Sequence, residues 1–151
     1  IDASPLAETP QSAAAREMLI VKVKSGRLAD AMREELNPVW LAPGPDRAAI
    51  LEIALDMADT LGPEVYVRQA RALQRARDQQ AVLRKCKVPT LVMCGEVGRL
   101  NPVKRHSFMA ELLPYAILRV IEGAGHLPTL EQPEATTAAI KEWLKMPLTP
   151  A

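Results

Sequence analysis

Two short apolar runs near the C-terminal end of the chain flank a segment with helical periodicity. The first run is Thr90–Cys94, closed by Gly95, and the second is Ala116–Ile121, closed by Gly123. Runs of this length that are rich in branched residues and bounded by turn residues are typical of β-strands. Because the connections to the intervening helix are short, the pattern predicts a right-handed βαβ unit with parallel strands.

The loops that follow the two strands are the expected place for chemistry, because sites in open α/β sheets lie beyond the carboxyl ends of the strands. The first loop is Gly95–Pro102, and the second, Gly123–Pro128, carries His126. The crossing helix is predicted at Val103–Leu113 and a further helix, packed near the strands, at Pro133–Lys145.

Residues 10–85 show helical periodicity and no identifiable chemistry. Ser12 is the expected N-cap of a first helix that ends at Gly26. A longer helix is predicted to follow Asp46 and to break at Gly62-Pro63. Large apolar side chains of this part could line an acyl pocket, but we expect them in the core. These are Met18, Met32, Trp40 and Met57.

Composition narrows the class of protein without naming a function. The chain has 151 residues, 48% hydrophobic and 25% charged, which is typical of a single soluble globular domain. A net charge of +1 gives no electrostatic case for binding nucleic acid or an anionic membrane surface. Cys86 and Cys94 lie far apart along an extended segment, so we expect no disulfide and a reduced cytoplasmic setting. The two histidines and two cysteines lack the spacing of a metal site, and we expect neither a metal nor a cofactor.

Two motifs carry a resemblance to a known family. The run PTLVMCGEVGRLNP is followed by VIEGAGHLPTLEQPEATTAAIKEWL, and together Val88–Leu144 resembles the C-terminal part of an α/β-hydrolase. The resemblance implies that family's last two core strands, its catalytic-histidine loop and its closing helix. The helical segment before Val88 fits the family's cap more loosely. The implied fold class is therefore α/β, a mostly helical cap followed by a βαβα unit with two parallel strands.

The resemblance also implies an organisation of the chain. Residues 1–10 would leave a core strand for the cap, 11–87 would form the helical cap-like segment, 88–146 the C-terminal βαβα part of the core, and 147–151 a tail. The start I-D-A-S-P resembles such a strand end, which predicts that the chain is a C-terminal fragment. None of the four serines lies in the G-x-S-x-G motif of the nucleophile elbow. They are Ser4, Ser12, Ser25 and Ser107.

His126 is the candidate general base. It lies in G-A-G-H-L-P, where Gly123 and Gly125 permit a sharp bend and Pro128 fixes the backbone that follows. The family's catalytic histidine stands in such a loop and takes the proton of a serine hydroxyl. His106, beside Lys104 and Arg105, is expected at the surface instead.

The loop after the first strand departs from the pattern G-x-x-D-x-x-x-P, in which the resembling family places the acid that orients its histidine. Gly95 and Pro102 keep the frame, but Gly98 stands where the aspartate is usual. Two replacements are open: Glu96 in the same loop and Asp2 at the end of the preceding strand. We rank Asp2 slightly ahead, because a glutamate in this context often points away. Decay of the site is the third alternative.

Two functions of different class follow. The chain could be the C-terminal fragment of a serine-type hydrolase for an ester, lactone or related carbonyl compound, inactive alone because it lacks the nucleophile. Alternatively, it is a non-catalytic remnant or interaction module on the same scaffold. A small ester-like substrate is the expected partner once an N-terminal half completes the protein. Exposed strand edges also predict self-association of the isolated chain.

Overall fold

The computed structural model describes residues 1–147, which form two compact units. The helical unit comprises Leu6–Pro38 and Ala48–Asp78. The sheet unit comprises Ile1–Pro5, Val39–Arg47 and the described chain from Gln79 onward.

The helical unit is built from three elements. They are α1 (Pro10–Lys24), α2 (Leu28–Glu35) and α3 (Arg47–Gln74). The N-cap of α1 is Thr9, whose hydroxyl accepts a 3.2 Å hydrogen bond from Ser12 N, so the expectation that Ser12 is the cap is wrong. A proline at the first helical position loses no hydrogen bond, which allows the helix to start earlier. The predicted break in α3 is confirmed, because Gly62 has φ +80°.

Two methionines of the helical unit lie outside its core, contrary to expectation. Met18 is 69% exposed and Met57 is 56% exposed. Met18 lies two residues from the buried Ile20, and about 100° of rotation per residue puts the two side chains on opposite sides of α1. Met57 lines a cavity of about 150 Å³ together with Met32. Small and branched side chains are buried instead: Ile20, Val23, Ala31, Ile50 and Ala70.

The sheet unit contains the remaining elements. A 3₁₀ turn spans Pro38–Trp40, followed in chain order by α4 (Gln80–Leu83), β1 (Thr90–Gly95), α5 (Val103–Leu112), β2 (Ala116–Ile121), α6 (Pro128–Glu131) and α7 (Pro133–Trp143). The two strands are parallel, and their register pairs Thr90 with Ala116 through to Gly95 with Ile121. The predicted βαβα unit is therefore confirmed.

A small apolar core joins the strands to α7. Met93 of β1, Ile121 of β2 and Ala139 of α7 belong to one buried cluster, with Ala124 of the loop after β2. At the C-terminal end of α7, Trp143 Nε1 donates a 3.1 Å hydrogen bond to the Pro89 carbonyl just before β1. The core therefore packs both strands, and the loop after β2, against α7. Among residues 1–147, the longest and most apolar helices still fall short of what crossing a bilayer requires.

Candidate active site

The backbone of Asp2 is held between β1 and the loop that follows it. Its N–H donates a 2.8 Å hydrogen bond to the Met93 carbonyl, and its carbonyl accepts a 2.9 Å bond from Asn101 Nδ2. Asp2 has φ +44°, a left-handed conformation that aspartate tolerates better than most residues. The result is a carboxylate that is only 4% exposed beyond the carboxyl end of β1.

Two glycines let the loops approach each other more closely than side chains would allow. A Cβ atom on Gly95 would lie 2.1 Å from the Gly125 carbonyl oxygen, and one on Gly125 would lie 2.4 Å from the Trp40 carbonyl oxygen. Both positions therefore require glycine. This close approach brings the residue after Gly125, His126, to the end of β1.

The carboxylate of Glu131 fixes the shape of the histidine loop. Its Oε2 accepts hydrogen bonds from Gly125 N at 2.8 Å and Ala42 N at 2.6 Å, and its Oε1 accepts one from Leu127 N at 2.8 Å. Bonds to a charged acceptor are stronger than bonds between neutral groups. His126 lies between two of the anchored amides, so its backbone has little freedom.

The structure brings His126 and Asp2 together. His126 Nδ1 donates to Asp2 Oδ2 over 2.5 Å, and the His126 N–H donates to the Trp40 carbonyl over 2.8 Å. The Trp40 ring stands edge-on to the imidazole, with 6.2 Å between ring centroids. The imidazole side chain is 23% exposed, and no group of residues 1–147 hydrogen-bonds to its Nε2. This is a histidine oriented by a carboxylate, with its second nitrogen available.

Glu96, the other candidate acid, lies in the loop after β1. Its Oε2 accepts a 3.2 Å hydrogen bond from Gly123 N, and the residue is exposed. Gly98 is buried, and a Cβ atom there would lie 3.4 Å from the Gly95 carbonyl oxygen, an ordinary contact. Packing therefore does not force glycine at position 98, where the family usually has its acid.

Solved structures of hydrolases superimpose on most of this chain. An esterase from Thermogutta terrifontis superimposes with a TM-score of 0.88 and 28% identity, over 95% of this chain and 53% of the esterase. An esterase from Exiguobacterium antarcticum matches with a TM-score of 0.75 and 20% identity, over 94% and 54%. The enol-lactonase from Burkholderia xenovorans matches with a TM-score of 0.79 and 19% identity, over 96% and 54%.

The chain has the fold of part of an α/β-hydrolase. It spans about half the length of the hydrolases that it matches. No protein-family profile matches the sequence, and no curated protein sequence does so either. The C-terminal motifs predicted a likeness to α/β-hydrolases, and the solved structures confirm it at the level of three-dimensional structure.

His106 of this hydrolase fold is fully buried, whereas the sequence predicts it at the surface beside Lys104 and Arg105. The expectation fails because α5 turns this one side chain inward, where its Nε2 lies 3.4 Å from Asp2 Oδ1. Burial lowers the pKa of the imidazole, and the nearby Asp2 carboxylate and the Pro102 carbonyl only partly oppose that effect. Its position on the helical wheel was the sequence signal, but the neighbouring charges concealed it.

Cys94 of the hydrolase fold is a buried free thiol. Burial raises the pKa of the thiol to about 11, and the nearby carboxylate of Asp2 acts in the same direction. A thiol in this state is a poor nucleophile, because the thiolate is the reactive form. Within residues 1–147, no three His, Cys, Asp or Glu side chains cluster closely enough to hold a metal ion.

Proposed function

We propose that this chain supplies the general base and the acid of a serine-type α/β-hydrolase that acts on an ester, lactone or related carbonyl compound. His126 is the base and Asp2 is the acid. The 2.5 Å contact between His126 Nδ1 and Asp2 Oδ2 is the observation that carries the proposal. Two esterases and an enol-lactonase among the matched structures support the class of substrate.

The pair has the geometry that base catalysis by histidine needs. An ionised Asp2 only accepts hydrogen bonds, so it holds the imidazole in the tautomer with a proton on Nδ1. The lone pair of His126 Nε2 then takes the proton of a serine hydroxyl as the oxygen attacks the carbonyl carbon. The buried carboxylate stabilises the imidazolium that forms, and the imidazolium later returns the proton to the leaving alcohol.

The nucleophile comes from outside these 151 residues in this proposal. None of Ser4, Ser12, Ser25 or Ser107 stands in G-x-S-x-G. A base and an acid without nucleophile and oxyanion donors lose most of the rate enhancement, because these groups act as a unit. The chain alone is therefore expected to be inactive toward esters.

A non-catalytic role is the second candidate. Gly98 in place of the usual acid, together with the missing elbow, favours a remnant or interaction module that keeps the scaffold. The Asp2–His126 pair favours the hydrolase, because a decayed site has no reason to retain a buried carboxylate against its histidine.

The deciding experiment uses the chain alone and the chain completed by the coding sequence upstream of Ile1. Turnover of p-nitrophenyl acetate is measured with and without a serine-directed phosphonate. The proposal expects background turnover from the chain alone and phosphonate-sensitive turnover from the completed protein. An upstream sequence without G-x-S-x-G, or an inactive completed protein, would favour the non-catalytic role. Phosphonate-sensitive turnover by the 151 residues alone would mean that one of the four serines is a nucleophile.

A further inference from the structure

The two oxygens of the Asp2 carboxylate are in different situations. Oδ2 accepts the hydrogen bond from His126, whereas Oδ1 is buried and has no hydrogen-bond partner among residues 1–147. The same is true of Nε2 of His106, which faces Oδ1 from 3.4 Å away. Two buried polar atoms without partners that face each other point to an interaction between them, because each would otherwise be costly.

The proton on His106 decides whether these two atoms attract or repel. With its proton on Nδ1, the ring donates to the Pro102 carbonyl 3.3 Å away and turns a lone pair toward Oδ1. With its proton on Nε2, the ring donates to the carboxylate instead. The second arrangement is favoured, because hydrogen bonds to a carboxylate are stronger than those to a neutral carbonyl. The Pro102 carbonyl also loses little, since it already accepts the Arg105 N–H at 2.8 Å.

The surroundings of His106 favour a neutral ring. Burial and the guanidinium of Arg105 disfavour an imidazolium, and Asp2 is the nearby anion that favours one. The balance lowers the pKa of His106. A neutral ring carries one proton on its nitrogens, so near neutral pH either Nδ1 or Nε2 is the donor and the other nitrogen is an acceptor.

We propose that His106 is a positioning residue for the acid, with its Nε2–H donating to Asp2 Oδ1. The carboxylate is then held by one histidine on each oxygen: His106 on Oδ1 and His126 on Oδ2. His106 thereby keeps Oδ2 aimed at the His126 ring. The proposal rests on the proposed function, since it assigns His106 to the Asp2–His126 pair.

The chain suits a direct test because it contains two histidines in all. Nitrogen-15 NMR of histidine-labelled protein near neutral pH reports which ring nitrogen carries the proton, and the variant His126→Ala assigns the remaining signals to His106. We expect His106 to be protonated on Nε2 and His126 on Nδ1. A His106 ring protonated on Nδ1 would overturn the proposal, and this measurement needs no variant of His106.

The hydrogen-bonded Nδ1 proton of His126 gives a second test of the positioning role. Such a proton is observed as a downfield signal in the proton NMR spectrum. Replacing His106 by Phe keeps a ring but removes the donor, and replacing it by Gln keeps an N–H donor on a side chain of similar reach. We expect the signal to broaden or vanish in His106→Phe and to return in His106→Gln. A signal unchanged in His106→Phe, with the fold intact by circular dichroism, would overturn the role of His106 alone.

The variant Asp2→Asn separates this inference from the proposed function. It should abolish the downfield signal, because an amide is a poorer acceptor than a carboxylate. If wild-type protein lacks the signal, or if Asp2→Asn leaves it unchanged, the Asp2–His126 pair itself is wrong, and both proposals fall together.

Discussion

His126 and Asp2 are separated by 124 positions in the chain, yet His126 Nδ1 lies 2.5 Å from Asp2 Oδ2. Two independent anchors produce the contact. The main chain of Asp2 is bound to β1 and to Asn101, while the histidine loop is bound to Glu131. Because neither anchor is the contact itself, variants of the pair should leave the fold in place and report on chemistry.

Replacement of His126, Asp2 and Glu96 one at a time should identify the acid. In the protein completed by a nucleophile elbow, His126→Ala should lower kcat/KM for p-nitrophenyl acetate on the order of 10³-fold or more. Asp2→Asn should cost a large fraction of that, because the imidazole loses the group that fixes its tautomer. Glu96→Gln should have little effect, since Glu96 is exposed and its side chain bonds only the Gly123 amide in the described chain.

The controls for these variants are structural. Each should keep the wild-type circular dichroism and urea midpoint within a small margin before its kinetics are interpreted. If Glu96→Gln is the damaging variant and Asp2→Asn is not, the acid has been assigned to the wrong residue.

Much of this arrangement could be predicted from the sequence, because it rests on local patterns. Apolar runs with turn residues gave the strands, and G-A-G-H-L-P gave the histidine loop. The burial of His106 was missed because the charges of Lys104 and Arg105 concealed its position on the helical wheel, and its approach to Asp2 depends on the three-dimensional fold. The role of Glu131 was missed for a similar reason: its three partners include Ala42, 89 positions away.

Glu131→Gln should destabilise the chain. The amide replaces one carboxylate oxygen by a donor, and at least one of the three N–H groups then faces another donor. Loss of a bond to a charged, partly buried acceptor costs about 1–3 kcal/mol. Urea denaturation of this variant beside Glu122→Gln, an exposed glutamate of the same region, measures the difference. Equal stability of the two variants would show that the carboxylate is not what holds the loop.

The two cysteines should differ strongly in reactivity. Cys94 is fully buried and its pKa is raised to about 11, whereas Cys86 is half-buried. A disulfide reagent near neutral pH should modify Cys86 first and Cys94 only when urea unfolds the chain. The variant Cys86→Ser isolates the Cys94 reaction. Rapid labelling of Cys94 in the folded variant would mean that the end of β1 opens readily.

Acid should destabilise the chain through His106. Its pKa is lowered from 6.5 in the folded state, so the unfolded chain binds the proton more readily. The stabilising effect of the neutral ring is therefore complete above pH 6.5 and is lost as pH falls through the folded pKa. The free energy of unfolding should fall with pH, with this group contributing at most about 1.4 kcal/mol per pH unit.

The matched control for this pH effect is His106→Gln, which should flatten the decline between about pH 7 and pH 5. The comparison should stay above pH 4.5, because Glu8, held by Arg16, and Glu17, held by Arg71, have lowered pKa values and lose their own stabilising effects below that point. An equal slope in both proteins would show that another group governs the response to acid.

The isolated chain should associate through the free edge of β1. The backbone N–H and C=O groups of successive strand residues point to opposite sides. Those of Leu91 and Met93 point away from β2, whereas those of Val92 point toward it. On the outer side, the Asp2 N–H occupies the Met93 carbonyl. Unpaired strand edges favour pairing with another chain. Parallel strands also normally lie in a sheet whose two faces are both covered by other elements.

Light scattering over a concentration series should therefore show a rising mass. Hydrogen exchange locates the contact: protection of the Leu91 amide should increase with concentration, while that of the Val92 amide, which faces β2, should stay constant as an internal control. A clean monomer at high concentration would exclude edge pairing. A rising mass with an unchanged Leu91 amide would instead place the contact on another surface, such as the exposed methionines of the helical unit.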